Sequence, residues 1–387
     1  MEVLLPESIV RLRHQVEELT LSQIAPQAGQ TDHDATWPQH SMRALADAGV
    51  MGLHVPIRLG GHEQGLLALA VLGETIARGC TSSALCYAMH CVGTAVITAK
   101  ATAYHEEKYL IPIAENRHIT TLALSEQGTG AHFYLPQTEL VLSGAEYVVN
   151  GTKQFVTNGG HADSYVISTM ASDENSEEGD FSCLIVDQDT DGIHWLEPWA
   201  GLGMRGNSSR AMQLNQARLP QANLLGQEGD QIWYTFEVVA PYFLIAMAGA
   251  YLGVAQAALD ATILHVKERH YSHSGDRLAD IHTLQYRLAE MNIAVQKSRG
   301  LLYQAAYQGD VGDPQATNMI MMAKADAADL AVSVTNDAMT CCGGFAYRQN
   351  GQLSRLLRDA RAAHVMSPTT DILKLWSGRL LLDLPLI

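Results

Sequence analysis

Apolar positions along this chain change period twice. From about residue 5 to 118 they recur at three- and four-residue spacing. "PQHSMRALADAGVMGLHVP" carries one apolar stripe and ends in glycine-rich turn signals, which predicts an amphipathic helix. "LLALAVLGETIARGC" and "SALCYAMHCVGTAVITAKAT" are apolar on every face and predict buried helices. From about 119 to 227 the runs become short and β-branched or alternating: "HITTLALS", "TELVLSGAEYVVNGTKQFVTN", "DSYVISTMAS", "FSCLIVDQ" and "SRAMQLNQARLP". Gly, Asn and Asp separate them, so this stretch predicts a small antiparallel β domain, a barrel or sandwich. Within it, Asn150-Gly151 is the dipeptide that a two-residue type I′ hairpin turn demands. From about 228 long helical patterns return, in "QIWYTFEVVAPYFLIAMAGAYLGVAQAALDATILHVKERH", "DIHTLQYRLAEMNIAVQKSRGLLYQAAYQ" and "PQATNMIMMAKADAADLAVSVTNDAMTCC". Antiparallel helices of that length predict a four-helix bundle. The expected class is α+β, with an N-terminal helical domain (1–118), a middle β domain (119–227) and a C-terminal helical bundle (228–387).

Composition narrows the setting. Hydrophobic residues make up 47% of the chain, and mean hydropathy is −0.02. The most apolar stretch, "VVAPYFLIAMAGAYLGVAQAALDA", contains Pro241 and small residues at helical spacing, which fits a buried helix better than a membrane span. The opening "MEVLLPESIVRLRHQ" lacks a basic segment followed by an apolar core, so no secretory leader and a cytoplasmic location are expected. With 25 Lys and Arg against 41 Asp and Glu, the formal net charge of −16 argues against a general nucleic-acid binder. The six cysteines form no CxxC pair and no Cys/His zinc spacing. They are expected to be buried free thiols in a reducing compartment, and no metal site is expected.

Candidate chemistry is sparse. No GxGxxG follows a strand, and no GxxxxGK[ST], GxSxG or HExxH occurs. Two strand ends carry hydroxyl and amide groups instead. "LSEQGTGAHF" places Ser125 and Glu126 at one, and "KQFVTNGG" places Thr157 and Asn158 at another, beside Phe155. Such residues ordinarily finish strands and cap turns. They could equally hydrogen-bond a flat polar ring while Phe155 stacks on it. Arg269 ends a long helix, where it either complements the helix dipole or pairs with a phosphate. Gly343-Gly344 follow another helix, as a C-cap turn or as a place where backbone approaches a ligand.

Taken in order, these segments resemble the acyl-CoA dehydrogenase family from about residue 36 to 380. "LADAGVMGLHVPIRLGG" resembles its first signature. "LALSEQGTGAHF" is similar to A-L-T-E-P-x-A-G-S-D, and "YVVNGTKQFVTNG" to Y-x-L-N-G-x-K-x-W-I-T-N-G. "GLGMRGNSSRAMQLNQARLPQANLLG" resembles the segment closing the β domain, and "CCGGFAY" and "LSRLLRDARA" the C-terminal motifs. The resemblance implies three domains, usually in a homotetramer or at least a homodimer, and FAD bound between the β domain and the bundle. It implies that Leu124, Ser125, Phe155 and Thr157 hold the isoalloxazine ring and that Thr369 contacts FAD. It also implies that Arg269 reaches the diphosphate, with Gly343 and Gly344 contributing from a neighbouring subunit.

The family removes a proton α to a thioester carbonyl with a glutamate, and here the match departs. Ser367 stands where most members carry that glutamate, and Pro368 replaces the following glycine. Phe243 stands at the alternative position on the first long bundle helix. The flanking Asp and Arg that grip CoA match Pro241 and Leu244, so an apolar wall of Phe243, Pro241 and Leu244 is expected. The G-S-D end of the second motif becomes Gly130-Ala131-His132. The reading that follows is a flavin oxidoreductase on an unusual acyl thioester, such as a 2-hydroxy- or 2-aminoacyl group on a carrier protein rather than CoA. Ser367, His364 or an ordered water would handle the proton. Ser367 also fits a helix N-cap before "PTTDILKLW", the role the residues themselves favour. The alternatives are a flavin monooxygenase on the same fold and a non-catalytic subunit lending half of a FAD site to a homologue. The electron acceptor is not legible in the sequence.

Overall fold

The computed structural model of the chain describes residues 5–130, 132–172 and 179–386. Helices come first. Glu7–Leu19 turns Ile9, Leu12, Val16 and Leu19 inward, the spacing of one helix face. In Leu66–Gly79 and Thr81–Ala99 almost every residue is buried, as their all-round apolar surface requires. Thr81–Ala99 and the continuous helix Gln231–Glu268 are long and apolar enough to cross a membrane, yet 89% and 78% of their most apolar windows are buried inside the protein.

The strands are β1 (Thr120–Ala123), β2 (Glu139–Ser143), β3 (Glu146–Val156), β4 (Ser164–Thr169), β5 (Ser182–Asp187), β6 (Ile193–Trp195), β7 (Arg210–Pro220) and β8 (Leu224–Leu225). They form two four-stranded sheets, ordered β1-β4-β5-β8 and β2-β3-β7-β6. Tyr165, Ile167 and Leu184 of the first share a core with Val149, Val156 and Met212 of the second. Beyond the end of β1, an isolated bridge between Glu126 and Lys153 of β3 links the two sheets. One pairing departs from the antiparallel expectation, because β1 and β4 run parallel.

The hairpin expected at Asn150-Gly151 lies elsewhere. β3 runs through both residues, and the turn is Gly144-Ala145, flanked by the pair Ser143 and Glu146. Gly144 supplies the left-handed backbone there, with φ 67°. Asn150-Gly151 mark a pairing irregularity instead: the register of β3 against β7 shifts between Val149 and Gly151. Asn150 Oδ1 accepts the Gln216 backbone N–H at 2.8 Å. A Cβ on Gly151 would lie 2.6 Å from Thr138 Oγ1 and 2.9 Å from its Cα. Close approach of the chain entering β2, rather than a turn, requires this glycine.

In the bundle, the helix Gln231–Glu268 passes through Pro241 without breaking. A π-turn, Tyr234–Val239, precedes the proline and shifts the hydrogen-bond ladder around its missing N–H. His282–Asp310, Ala316–Cys342 and Thr370–Leu381 complete the bundle, with Gln352–Arg361 packed beside it. Glu74 ties the N-terminal helices to this layer, accepting from Arg299 Nη2 at 2.6 Å and Tyr303 Oη at 2.7 Å. The six cysteines are buried and free, as expected. Among the described residues no group of His, Cys, Asp and Glu could hold a metal ion.

Replacing Gly151 by Ala should destabilise the protein by about 1–3 kcal/mol, the usual cost of overpacking a filled site. Thermal unfolding measures it; an unchanged midpoint would mean that the Thr138 segment yields freely.

Candidate active site

The ends of β1 and β3 deliver the predicted polar residues to one place. They open on a pocket of about 700 Å³ whose other walls are the helix Ala240–Glu268 and the segment 362–369. Leu124 and Ser125 follow β1 and line it, as do Phe155 and Thr157 at the end of β3. Ser125 O accepts the Gln154 N–H at 2.7 Å. Thr157 Oγ1 lies 3.1 Å from Ser209 Oγ, and Thr157 O accepts from Thr121 Oγ1 at 2.9 Å. The pairing of β3 with β7 shifts between Lys153 and Val156, and Phe155 adopts φ 54° there. Its ring stays 65% exposed and meets Trp199 edge-on, with centroids 6.3 Å apart. Asn158 has a structural role: its Nδ2 donates to Cys86 O and its Oδ1 accepts from Trp37 Nε1, both at 2.9 Å.

Apolar walls with hydroxyl and backbone groups gathered on one rim suit a planar heteroaromatic ring. By this donor set and shape, Leu124, Ser125, Phe155 and Thr157 fit an isoalloxazine. Arg269, Gly343 and Gly344 are not brought here. Arg269 terminates one bundle helix and Gly343 another, at an end marked by the stacked rings of His265 and Phe345, 4.5 Å apart.

The bundle-helix wall differs from the expectation. Val239, Ala240 and Phe243 line the pocket, because three- and four-residue spacing puts them on one face. Pro241 is outside the lining, and Leu244, 3% exposed, turns into the helical core. The wall is apolar, but through different neighbours of Phe243.

Ser367 and Thr369 both line the pocket. The N-cap role expected of Ser367 falls to Thr369, whose side chain accepts the Ile372 N–H at 3.5 Å. The helix starts at Thr370, so Ser367 stands two residues too early to cap it. Its hydroxyl instead donates to Gly130 O at 3.4 Å. Ala131 lies outside the described residues; His132 Nδ1 pairs with Tyr134 Oη at 2.9 Å. His364 is outside the lining, with Nδ1 2.6 Å from Arg361 Nη1 and Nε2 3.1 Å from Asp329 Oδ1.

Among the described residues Glu126 is the single carboxylate in the lining, and it is occupied. It accepts from Lys153 Nζ, from Thr138 Oγ1 at 2.8 Å and from the Gln137 N–H at 2.7 Å. Lys153 has no exposed surface, and burial lowers its pKa against the opposing pull of Glu126. The acceptor positions of this carboxylate are thus taken by a buried ammonium and two further donors.

The Arg-Asp-Ala-Arg motif proves to be a clamp. Arg358 grips Asp32 through both guanidinium nitrogens and donates to Leu202 O at 2.9 Å. Asp359, buried, accepts the Met204 N–H at 2.6 Å. Between these contacts a Cβ on Gly203 would come within 2.4 Å of Arg358 O. The clamp brings Leu202, Gly203 and Met204 into the pocket lining. Trp199 was not singled out in the sequence, and residues 202–204 were read only as part of the motif closing the β domain, with no place at the pocket. Their one visible signal is the glycine spacing in "GLGMRG".

The chain matches three domain profiles: acyl-CoA dehydrogenase N-terminal domain over residues 6–117, middle domain over 121–217 and C-terminal domain over 244–382. Cyclohex-1-ene-1-carbonyl-CoA dehydrogenase of Geobacter metallireducens is 31% identical over 368 residues, covering 95% of this chain and 96% of the relative. The structure of butyryl-CoA dehydrogenase from Megasphaera elsdenii superposes with a TM-score of 0.91 at 24% identity, covering 98% of this chain and 99% of that one. The prolyl acyl carrier protein oxidase AnaB superposes with a TM-score of 0.86 at 22% identity, covering 97% and 99%.

Lys153→Met should leave the Glu126 charge buried and unpaired, a loss of about 3–5 kcal/mol. Adding Glu126→Gln should recover much of it. Denaturant midpoints of the single and double variants test this; a double variant as unstable as the single would show that the pair is not the cause.

Proposed function

Since the chain belongs to the acyl-CoA dehydrogenase family and is an FAD-dependent oxidoreductase, we propose that it oxidises a 2-hydroxyacyl or 2-aminoacyl thioester carried by an acyl carrier protein. The observation behind this reading is the pocket without an available carboxylate: Glu126 is paired, and positions 243 and 367 hold Phe and Ser. An unsubstituted acyl thioester must lose a proton from carbon, which calls for a positioned base. A 2-hydroxy or 2-amino group loses its proton from oxygen or nitrogen while a hydride leaves the same α-carbon. Two electrons depart with the hydride, and a C=O or C=N bond forms. Bound FAD supplies the hydride acceptor. The Ser367 hydroxyl relays the heteroatom proton toward water at the pocket wall. His364, turned toward Asp329, takes no part.

Leu124, Ser125, Thr157 and Thr369 hold the cofactor, with Phe155 and Trp199 at its edge. Arg269, Gly343 and Gly344 reach it from a neighbouring subunit of a homotetramer or homodimer, a reading supported by their place at a bundle end away from the pocket. Delivery by a carrier protein is supported by the apolar bundle-helix wall of Val239, Ala240 and Phe243, which offers no polar grip for CoA. That a prolyl-carrier oxidase has this fold makes such delivery feasible. Anaerobic mixing with 2-hydroxyacyl and 2-aminoacyl carrier proteins tests the reading, since one of them should bleach the flavin. Faster bleaching by the matching CoA thioesters would overturn the carrier assignment.

Two predictions follow from the residues. The protein should purify yellow with non-covalent FAD. Arg269→Ala should weaken its retention by about 1.5–3 kcal/mol, a typical hydrogen bond to a charged group. A colourless protein that takes up no added FAD contradicts this. Second, Phe243→Glu should give no ordinary acyl-CoA dehydrogenation, because an apolar wall raises the new carboxyl's pKa and supplies no partner contacts. Ser367→Glu with Pro368→Gly should give weak activity. Flavin bleaching by an acyl-CoA decides, and the reverse order would disprove the placement of Ser367 at the base position.

A further inference from the structure

Lys324, on the helix Ala316–Cys342, has no exposed surface. Its ammonium donates to three main-chain carbonyls: Ala363 O at 3.1 Å, Met366 O at 3.3 Å and Pro368 O at 2.9 Å. All three belong to the short connection between the helices Gln352–Arg361 and Thr370–Leu381. No main-chain donor among the described residues reaches these carbonyls. Three ammonium protons meet three acceptors, so the group is used up. Asp329, the nearest acidic influence, is itself paired with His364 and Lys374. Burial lowers the Lys324 pKa to about 8, so the group is charged at neutral pH.

The other side of this connection is the pocket wall, where Met366, Ser367 and Thr369 face the cavity. A second anchor reaches it from the neighbouring helix, as Tyr251 Oη donates to Met366 Sδ at 3.1 Å. A buried lysine closing a helix junction could be no more than a structural fixture. Here, however, every one of its bonds ends on a segment that lines the reaction chamber.

We propose that Lys324 is a positioning residue, which fixes the wall carrying Met366 and Ser367 by holding three carbonyls from behind. The inference rests on the pocket being the reaction site, but not on which thioester is used. Without the ammonium, three buried carbonyls lose their donor, and the wall must open toward water to satisfy them.

The test is hydrogen–deuterium exchange on the FAD-loaded protein at pH 7, which needs no substrate. In Lys324→Met, amides of 362–369 should exchange about tenfold faster, while β1, β4 and the helix Ala240–Glu268 keep their protection. The visible flavin band should shift with FAD retained. Lys324→Gln, which keeps two donor protons, should lie between, and it carries the test if the Met variant does not fold. Asp310→Ala is the control. It removes the acceptor of the Leu66 and Leu67 N–H groups at 2.5 and 3.0 Å, contacts outside the pocket lining, and should change neither the exchange at 362–369 nor the flavin band. Unchanged exchange at 362–369, or a loss of protection spread evenly through the bundle, would overturn the proposal.

Discussion

The pocket depends on one ion-paired arginine. Arg358 holds Asp32 of the N-terminal helices and Leu202 O of the β domain, while the adjacent Asp359 holds the Met204 N–H. Three parts of the chain, two of them sharing the helical core and one built on the β core, meet at two consecutive residues. Burial raises the Asp359 pKa, and the bond from Met204 works against that rise. Hydrogen bonds of this kind are costly to leave half made, so neither partner is readily released. Gly203 fits between them because a side chain there would strike the Arg358 backbone.

With the clamp in place, the chemistry of the chamber is set by what its walls omit. A family whose chemistry calls for a carboxylate base is represented here by a pocket whose one lining carboxylate among the described residues is bound to Lys153. Phe243, Val239 and Ala240 make the bundle wall apolar, and Ser367 offers a hydroxyl in place of an acid. The strand-end residues that the family resemblance assigns to the flavin line the pocket, and the two positions it assigns to the base hold Phe and Ser. The function we propose, in which the substrate proton leaves oxygen or nitrogen instead of carbon, accounts for both with a single cause.

The large pattern was legible because it is local. Period and turn chemistry separate helices from strands, and the strand-end motifs point to Ser125, Phe155 and Thr157, which the structure brings to the pocket lining. The misreadings share a cause, because each depends on a contact distant in sequence. Asn150-Gly151 has ideal hairpin chemistry, yet Thr138 and Gln216 give it a different task. Ser367 looks like a cap until the helix is seen to start at Thr370. Pro241 and Leu244 flank Phe243 in sequence, but the helix turns them away from its face. Trp199 and Lys324 carry no local signal, and Arg358 is legible as part of the Arg-Asp-Ala-Arg motif but not as a clamp, since Asp32 and Leu202 lie in other segments.

The most direct test of the missing base is α-proton exchange. A saturated, unsubstituted acyl-CoA incubated with the FAD-loaded protein in deuterated water is followed by NMR at its α-carbon. A chamber without an available carboxylate predicts no exchange above the protein-free rate. Rapid loss of the α-proton signal, with Glu126 and Lys153 intact, would show that a base acts in this pocket and would contradict the account.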